Sequence, residues 1–313
     1  MKIFLKKIRD ALINIIKNNK PNKRTVMDNI NSFLIYTLYS YKIFRPHSKK
    51  LTEEIDIVSR LITSNEKFNN VYNKLNLDGH TNLLNMQEGL SNDLLDEIIS
   101  NQENLYQKKK IFEELYRQNE TTKEYLNRLK EKKLKVLKFS TNSRVSPSLK
   151  KIFEDKFVNK LVSLYLNTKK IYTRNEAFIT FENDNNDYHN LSKTNQQFHI
   201  DMMSKKWLKL FIYLNDVSEE NGAHCFIKKS HIKKKDEEFN LLRYFTDNEI
   251  MNHYNESEIS RIAGKKNTCF FEDTYGLHKA GYVKKGIRII FAITFSASRN
   301  YSSHKNDEVI YLK

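Results

Sequence analysis

The chain has 313 residues, 39% of them hydrophobic and 12% aromatic, with 54 Lys/Arg against 38 Asp/Glu for a formal charge of +16. That length allows one large domain or two small ones, and the rings supply core area that the low aliphatic content does not. Two cysteines, Cys225 and Cys269, exclude a disulfide scaffold or a cysteine zinc site; no apolar run reaches the roughly 18 residues of a membrane span, and Lys6, Lys7, Arg9 and Asp10 interrupt what a secretory leader would need, so a cytoplasmic protein is expected.

In chain order, residues 1–18 place Leu5, Ile8, Leu12, Ile15 and Ile16 at helical spacing and end before Pro21, which cannot continue a helix interior. A second helix is expected over 25–41, with Thr25 as its cap and Asp28 in its first turn. From Leu51 to Leu95 the pattern is helical but broken. Ile55, Val58, Leu61 and Ile62 form one stripe, and Asp78-Gly79-His80 and Glu88-Gly89 are turn signals. Residues 93–138 carry a long charged helical pattern without a strict heptad, which reads as two or three helices packed on a domain.

Pro147 marks a boundary, and 148–170 reads as one more helix through Leu149, Ile152, Phe153, Phe157, Leu161, Leu164 and Tyr165. The texture then changes. Five of the seven glycines lie at or after Gly222 and separate short apolar runs: AFITF, WLKLFIYL, AHCFI, TCFF and IRIIFAITF. Short strands punctuated by glycine turns indicate an antiparallel sandwich or barrel. The fold class is therefore α+β, with an N-terminal helical region over 1–147 packing on a strand-rich domain over 148–313.

Within that domain, His199 and Asp201 stand two apart among Phe198, Ile200 and Met202. On a strand, residues i and i+2 share a face, so an imidazole and a carboxylate project side by side. His278 follows in FFEDTYGLHKAGY, and Arg288 comes ten residues later in GIRIIFAITFS. Two histidines and one carboxylate on one side of a metal form the ligand set of non-haem Fe(II) oxygenases. His199, Asp201 and His278 are thus the candidate metal and catalytic residues. Arg288 is a candidate cation for an acidic cosubstrate.

Residues 176–296 resemble the phytanoyl-CoA dioxygenase family of Fe(II)/2-oxoglutarate oxygenases. The likeness is carried by His199 and Asp201, the strand ending Leu214-Asn215-Asp216-Val217, the turn Glu220-Asn221-Gly222, Ser230-His231, His278 and Arg288. It implies a jelly roll (double-stranded β-helix) with the metal inside, and Fe(II), 2-oxoglutarate and dioxygen as cofactors. It also implies oxidation of a small-molecule substrate, with release of succinate and carbon dioxide. Arg288 would grip the far carboxylate of 2-oxoglutarate through its guanidinium fork, with Lys209 as the next choice. Halogenating relatives replace the carboxylate ligand by a small residue; Asp201 retains it, which favours hydroxylation. The chain departs from the family pattern at Ala223, where proline is usual, and at Lys228-Lys229, where Pro-Gly is usual. Those departures bear on loop geometry.

Trp207 and Tyr213 alternate with Lys209 and Phe211 on one strand face, and their polar handles make them candidates to line the cosubstrate or substrate pocket. Thr274 and Asp273 precede the distal histidine and are candidates to orient it. His224 and His231 lack the spacing to join the metal set, and His231 reads as closing a turn. The asparagine-rich stretch at 183–187 is a loop that could be solvated or form a lid.

The basic excess is uneven: residues 1–50 hold 12 Lys/Arg and 2 Asp/Glu. No aromatic–basic motif or groove-reading module accompanies it, so nucleic acid is not expected as a partner. A rival to the enzyme is a non-catalytic, metal-stabilised jelly roll whose basic helices bind anionic surfaces. The helix over 1–18 sets Leu5, Ile8, Leu12 and Ile15 on one face with Lys2, Lys6, Arg9 and Lys17 largely away from it, Lys7 near its edge and Ile3 and Ile13 interrupting the polar side, which suits either packing on the domain or weak contact with an anionic membrane. Co-sedimentation of full-length protein and a version starting at residue 19 with acidic vesicles separates the two. Membrane contact predicts that only the full-length protein pellets, and less so in salt.

Overall fold

The computed structural model describes residues 51–64, 66–100, 121–131, 136–182, 195–201, 206–240, 243–298 and 308–312. The helices expected over 1–18 and 25–41 and the loop at 183–187 lie outside the described residues.

The strands in chain order are β1 (Ile62–Thr63), β2 (Leu84–Met86), β3 (Val136–Thr141), β4 (Lys170–Phe181), β5 (Trp207–Tyr213), β6 (His224–Ile227), β7 (Ile259–Ile262), β8 (Thr268–Glu272), β9 (His278–Lys279), β10 (Ile287–Ser296) and β11 (Glu308–Tyr311). The helices are α1 (Phe68–Asp78), α2 (Leu90–Ser100), α3 (Thr122–Glu131), α4 (Pro147–Glu154), α5 (Lys156–Leu166) and α6 (Asp247–Met251). One large antiparallel sheet runs β1-β2-β8-β5-β10-β4-β11, and β3 takes the rest of the β4 edge. A small sheet runs β7-β6-β9.

The large sheet is buried on both faces, and strand alternation assigns each residue to one of them. Leu208, Leu210 and Ile212 of β5, Ile289, Phe291, Ile293 and Phe295 of β10, and Cys269 and Phe271 of β8 join the helices in one apolar cluster. Val71 and Leu75 of α1, Leu94 of α2, and Leu149, Val158 and Leu161 of α4 and α5 complete it. Each such side chain contributes roughly 1.5–3 kcal/mol when fully buried. The opposite parity faces inward. Phe211, Tyr213, Phe270, Ile290 and Ala292 meet Ala223 and Ile262 from around the small sheet. Two sheets closing on a shared interior make a jelly roll, braced outside by helices.

The region before Pro147 is less helical than its pattern suggests. β1, β2 and β3 all add to the large sheet, and residues 51–61 form no helix, leaving Val58 exposed. Residues 136–138, expected at the end of a helix, instead pair with β4. A short apolar run beside an open sheet edge gains a full ladder of backbone bonds, which overrides a weak helical period. The helix expected over 148–170 breaks at Asp155, whose carboxylate caps the next helix by accepting from the Phe157 and Val158 N–H groups and also from Ser59 and Arg60. It ends at Leu166, and Lys170 already belongs to β4. None of the described helices is long and apolar enough to cross a membrane.

The two departures before Ser230 have a structural reading. Lys229 takes φ 65°, the left-handed conformation that suits glycine, and its N–H donates to Asp78 O at 2.8 Å. The turn is thus kept despite the missing glycine, with Ser230 Oγ donating to Ile227 O and accepting from Leu277 N. Holding a lysine there costs about 1–2 kcal/mol, partly offset by the entropy that glycine would lose. Lys229→Gly should therefore raise unfolding stability by about 0.5–1 kcal/mol, read as a higher denaturant midpoint at unchanged slope.

Candidate metal and cosubstrate site

The segment carrying His199 lies alongside β9. His199 N–H donates to His278 O and His278 N–H donates to His199 O, each at 3.0 Å. Asp201 N–H donates to Thr274 O at 2.9 Å. Strand alternation then puts His199 and Asp201 on the same side, facing His278. His199 Nε2 is 4.0 Å from Asp201 Oδ1, and His278 Nε2 is 3.6 Å from Asp201 Oδ2. The three ligand atoms all lie within 4.8 Å of one another.

The other ring nitrogens are already committed. His199 Nδ1 is 2.9 Å from Gln197 O, and His278 Nδ1 is 3.0 Å from Gly276 O. A carbonyl can only accept, so Nδ1 carries the proton and the lone pair sits on Nε2, facing the triad. Burial holds both imidazoles below the usual histidine range, His278 well below it, so both stay neutral. Burial alone would raise Asp201. The Lys209 ammonium beside it holds it below the usual carboxylate range. Lys209 Nζ donates to Asp201 Oδ2 at 2.5 Å, which leaves Oδ1 open to a metal. Two neutral imidazoles and a carboxylate fit a divalent first-row metal.

Arg288 closes the same cavity, and is itself almost fully buried. Its Nη1 donates to Gly222 O at 2.7 Å and its Nη2 to Thr180 Oγ1 at 3.1 Å. Its Nε has no hydrogen-bond partner, and no carboxylate pairs with it among the described residues. Burial lowers its proton affinity, yet a guanidinium does not give up its proton in a protein. Gly222 and Gly281 shape this cradle. A Cβ on Gly281 would meet Ala223 O at 2.2 Å. Phe178, Phe211, Ile290 and Ala292 line the wall between the two ends. A buried cation with no carboxylate partner among the described residues can take an anion, and Arg288 lines the same cavity as the candidate triad.

Trp207 and Tyr213 do not line this cavity. Trp207 is fully buried, and its Nε1 donates to Thr274 Oγ1 at 2.9 Å, bracing the residue whose carbonyl holds Asp201. Tyr213 is fully buried, with its hydroxyl donating to Ile262 O at 2.5 Å and accepting from His224 N at 3.2 Å. Both polar handles are spent on protein, so these residues frame the site from behind the cavity lining. Thr274 orients Asp201 rather than His278, and Asp273 accepts from Tyr165 OH and Tyr275 N. His231 packs below α1, its Nε2 3.2 Å from Asn76 O.

Three cavity-side groups escaped the spacing argument: Lys209 as partner of Asp201, His224 on the wall, and Glu272 behind it. Their signal was a charged residue at inward parity in an otherwise apolar run, Lys209 in WLKLFIY and Glu272 in TCFFE. Glu272 is fully buried, with Oε1 3.0 Å from His224 Nε2. Burial pushes Glu272 well above the usual carboxylate range. Burial, with Arg288 nearby, pushes His224 well below its own.

The sequence profile of the phytanoyl-CoA dioxygenase family matches residues 84–285, well over half of the chain. The chain belongs to that family. Phytanoyl-CoA dioxygenases are non-haem oxygenases that use Fe(II), 2-oxoglutarate and dioxygen, and the ligand set of that chemistry is present here. No curated protein sequence matches significantly. Solved structures with a similar fold include the non-haem α-ketoglutarate-dependent epimerase SnoN from nogalamycin biosynthesis, 13% identical, covering 73% of this chain and 80% of its own, with TM-score 0.48. The apo non-haem monooxygenase ThoJ is 11% identical over 77% of this chain and 83% of its own, with TM-score 0.49. HygX from Streptomyces hygroscopicus, solved with nickel, 2-oxoglutarate and hygromycin B bound, is 9% identical over 71% of this chain and 84% of its own, with TM-score 0.44.

Loss of an outer partner of a metal ligand typically weakens metal binding 10–100-fold, so loss of a ligand itself should cost at least about 100-fold. Asp201→Ala should therefore bind Ni(II) or Co(II) at least about 100-fold more weakly by calorimetry, with its far-ultraviolet circular dichroism unchanged. Unaltered metal affinity would remove Asp201 from the ligand set.

Proposed function

We propose that the protein is an Fe(II)/2-oxoglutarate-dependent hydroxylase acting on a small molecule. The observation that carries this reading is the buried Arg288 guanidinium, without an acidic partner among the described residues, in the cavity that also holds His199, Asp201 and His278. Metal and anion can be accommodated together, as a keto-diacid bound at both ends requires. When bound, iron and 2-oxoglutarate supply the oxidising power: the diacid and dioxygen become succinate and carbon dioxide, and one oxygen atom enters a substrate C–H bond as hydroxyl.

The protein's own residues have separable parts in this. His199, Asp201 and His278 would hold the metal, whose remaining positions would be left for cosubstrate and dioxygen. Arg288 takes the far carboxylate, with Thr180 Oγ1 steadying Nη2. Phe178, Phe211, Ile290 and Ala292 keep water from the path between them, so each charge interaction there is stronger than in solvent. The Asp201 carboxylate occupies the position that a halide would need, which favours hydroxylation.

The test is succinate formation from 2-oxoglutarate, assayed with and without Fe(II) and with and without oxygen. Turnover that requires both supports the enzyme. A protein that binds metal and 2-oxoglutarate but forms no succinate with any of a broad substrate panel would favour the non-catalytic binding protein instead. Arg288→Ala should weaken 2-oxoglutarate binding by about 2–5 kcal/mol, the usual loss for a charge pair in a mostly dry site, while metal affinity stays close to that of the parent. If 2-oxoglutarate affinity is unchanged, Arg288 is not the clamp.

A further inference from the structure

The wall between the two ends of the cavity carries one more polar group. Gly222, two residues before His224, gives its carbonyl to Arg288 Nη1 at 2.7 Å. Phe226, two residues after His224, is paired in register with His278. At about 3.4 Å per residue in a strand, His224 stands midway between the arginine cradle and a metal-binding histidine. His224 lines the cavity that the candidate triad and Arg288 share. The His224 ring lies 5.8 Å from that of His278 between centroids, and it packs against Phe211 at 4.9 Å and Phe270 at 5.5 Å.

The ring is held on one edge only. Nε2 is 3.0 Å from Glu272 Oε1, and the backbone N–H donates to Tyr213 OH at 3.2 Å. Nδ1 makes no hydrogen bond among the described residues, and the residue lines the cavity. An apolar pair would fill the same space without the desolvation cost of a fully buried carboxyl. Glu272 therefore has a polar task, and the His224 ring is the side chain it hydrogen-bonds among the described residues. Burial pushes that carboxyl well above the usual carboxylate range, which favours its protonated form. Its O–H then donates to Nε2, and the single N–H of the neutral imidazole sits on Nδ1, turned away from Glu272.

We propose that His224, oriented by Glu272, is a positioning residue for 2-oxoglutarate, its Nδ1–H donating to a carboxylate oxygen of the diacid between the metal ligands and Arg288. The proposal rests on the reading of this cavity as an Fe(II)/2-oxoglutarate site. His224 acts on the diacid and Glu272 acts through His224, so neither is needed to hold the metal.

The experiment uses the full chain loaded with Ni(II) or Co(II), with metal and 2-oxoglutarate titrated separately by calorimetry. A hydrogen bond to a charged group is worth enough that His224→Leu should raise the 2-oxoglutarate Kd by about ten-fold or more, with metal affinity unchanged. Glu272→Leu releases the ring and should weaken 2-oxoglutarate to a similar extent. Glu272→Gln keeps an N–H donor aimed at Nε2 and should restore affinity to near that of the parent. Parental 2-oxoglutarate affinity in His224→Leu would overturn the proposal and leave the oxygenase reading standing. Equal loss of metal and 2-oxoglutarate binding in His224→Leu would also overturn it, by making the residue a support of the metal set. If the parent protein itself binds metal but no 2-oxoglutarate, the underlying reading fails instead.

Discussion

Two backbone hydrogen bonds, exchanged between His199 and His278, join parts of the chain that are far apart in sequence. The candidate site depends on that pair. It sets the two imidazoles side by side with ring centroids 4.4 Å apart. It also fixes the register in which Asp201 meets Thr274 O. The same local device then finishes each ligand, because each histidine gives its Nδ1 proton to the carbonyl two residues earlier, Gln197 for one and Gly276 for the other. Orientation and tautomer follow from extended backbone alone. A slip of one residue in this pairing would turn Asp201 and one histidine to the opposite side and dissolve the ligand set.

Charge in the cavity is arranged around the same backbone. The Lys209 charge is matched by Asp201, while Glu272 and the His224 ring hydrogen-bond as a buried pair that burial drives toward neutrality. Among the described residues Arg288 is balanced by the oxygens of Gly222, Gly281 and Thr180, none of them charged. Carbonyl and hydroxyl dipoles solvate a guanidinium without neutralising it, so the charge remains available to an anion. A metal at the triad would add further positive charge, which a diacid offsets at both ends. The cavity is therefore suited to taking metal and diacid together, and this coupling should make the affinity for each depend on the other.

The strand-rich half of the fold was legible because buried strands leave short apolar runs between glycine turns. β5 and β6 fall within the runs expected for them, and β8 and β10 extend theirs by one residue. The N-terminal half was not, since β1 and β2 are only two and three residues long and carry no period of their own. They become strands because the β8 edge offers hydrogen bonds. The HxD spacing and the later histidine sufficed to nominate the triad, which the fold brings within bonding distance of a single ion. Trp207 and Tyr213 misled because parity reveals the face a residue occupies but not its depth or whether its polar atom is already engaged. Both are on the inward face, and both have spent their donors on the protein. His224 was passed over for the converse reason. Lacking ligand spacing, it offered no hint that Glu272 lay behind it.

The division of the large sheet into two faces explains how so polar an interior is tolerated. Its outer face and the helices supply the larger apolar cluster, in which Leu75, Leu149, Leu161, Leu210, Phe291 and Phe295 are essentially inaccessible. That cluster stabilises the sheet without help from the cavity. The inner face can then hold Lys209, Glu272, Arg288 and Asp201 at a desolvation cost that a smaller domain could not bear. Alternation along β5 and β10 makes this possible within single strands: Leu208 and Leu210 anchor the backbone on one side, while Lys209 between them is presented to the site on the other. The position of each polar group is thereby set by rigid neighbours in its own strand. A site built this way stays in register when an inward side chain is changed, so substitutions at Lys209, His224 or Arg288 report on binding more directly than on folding.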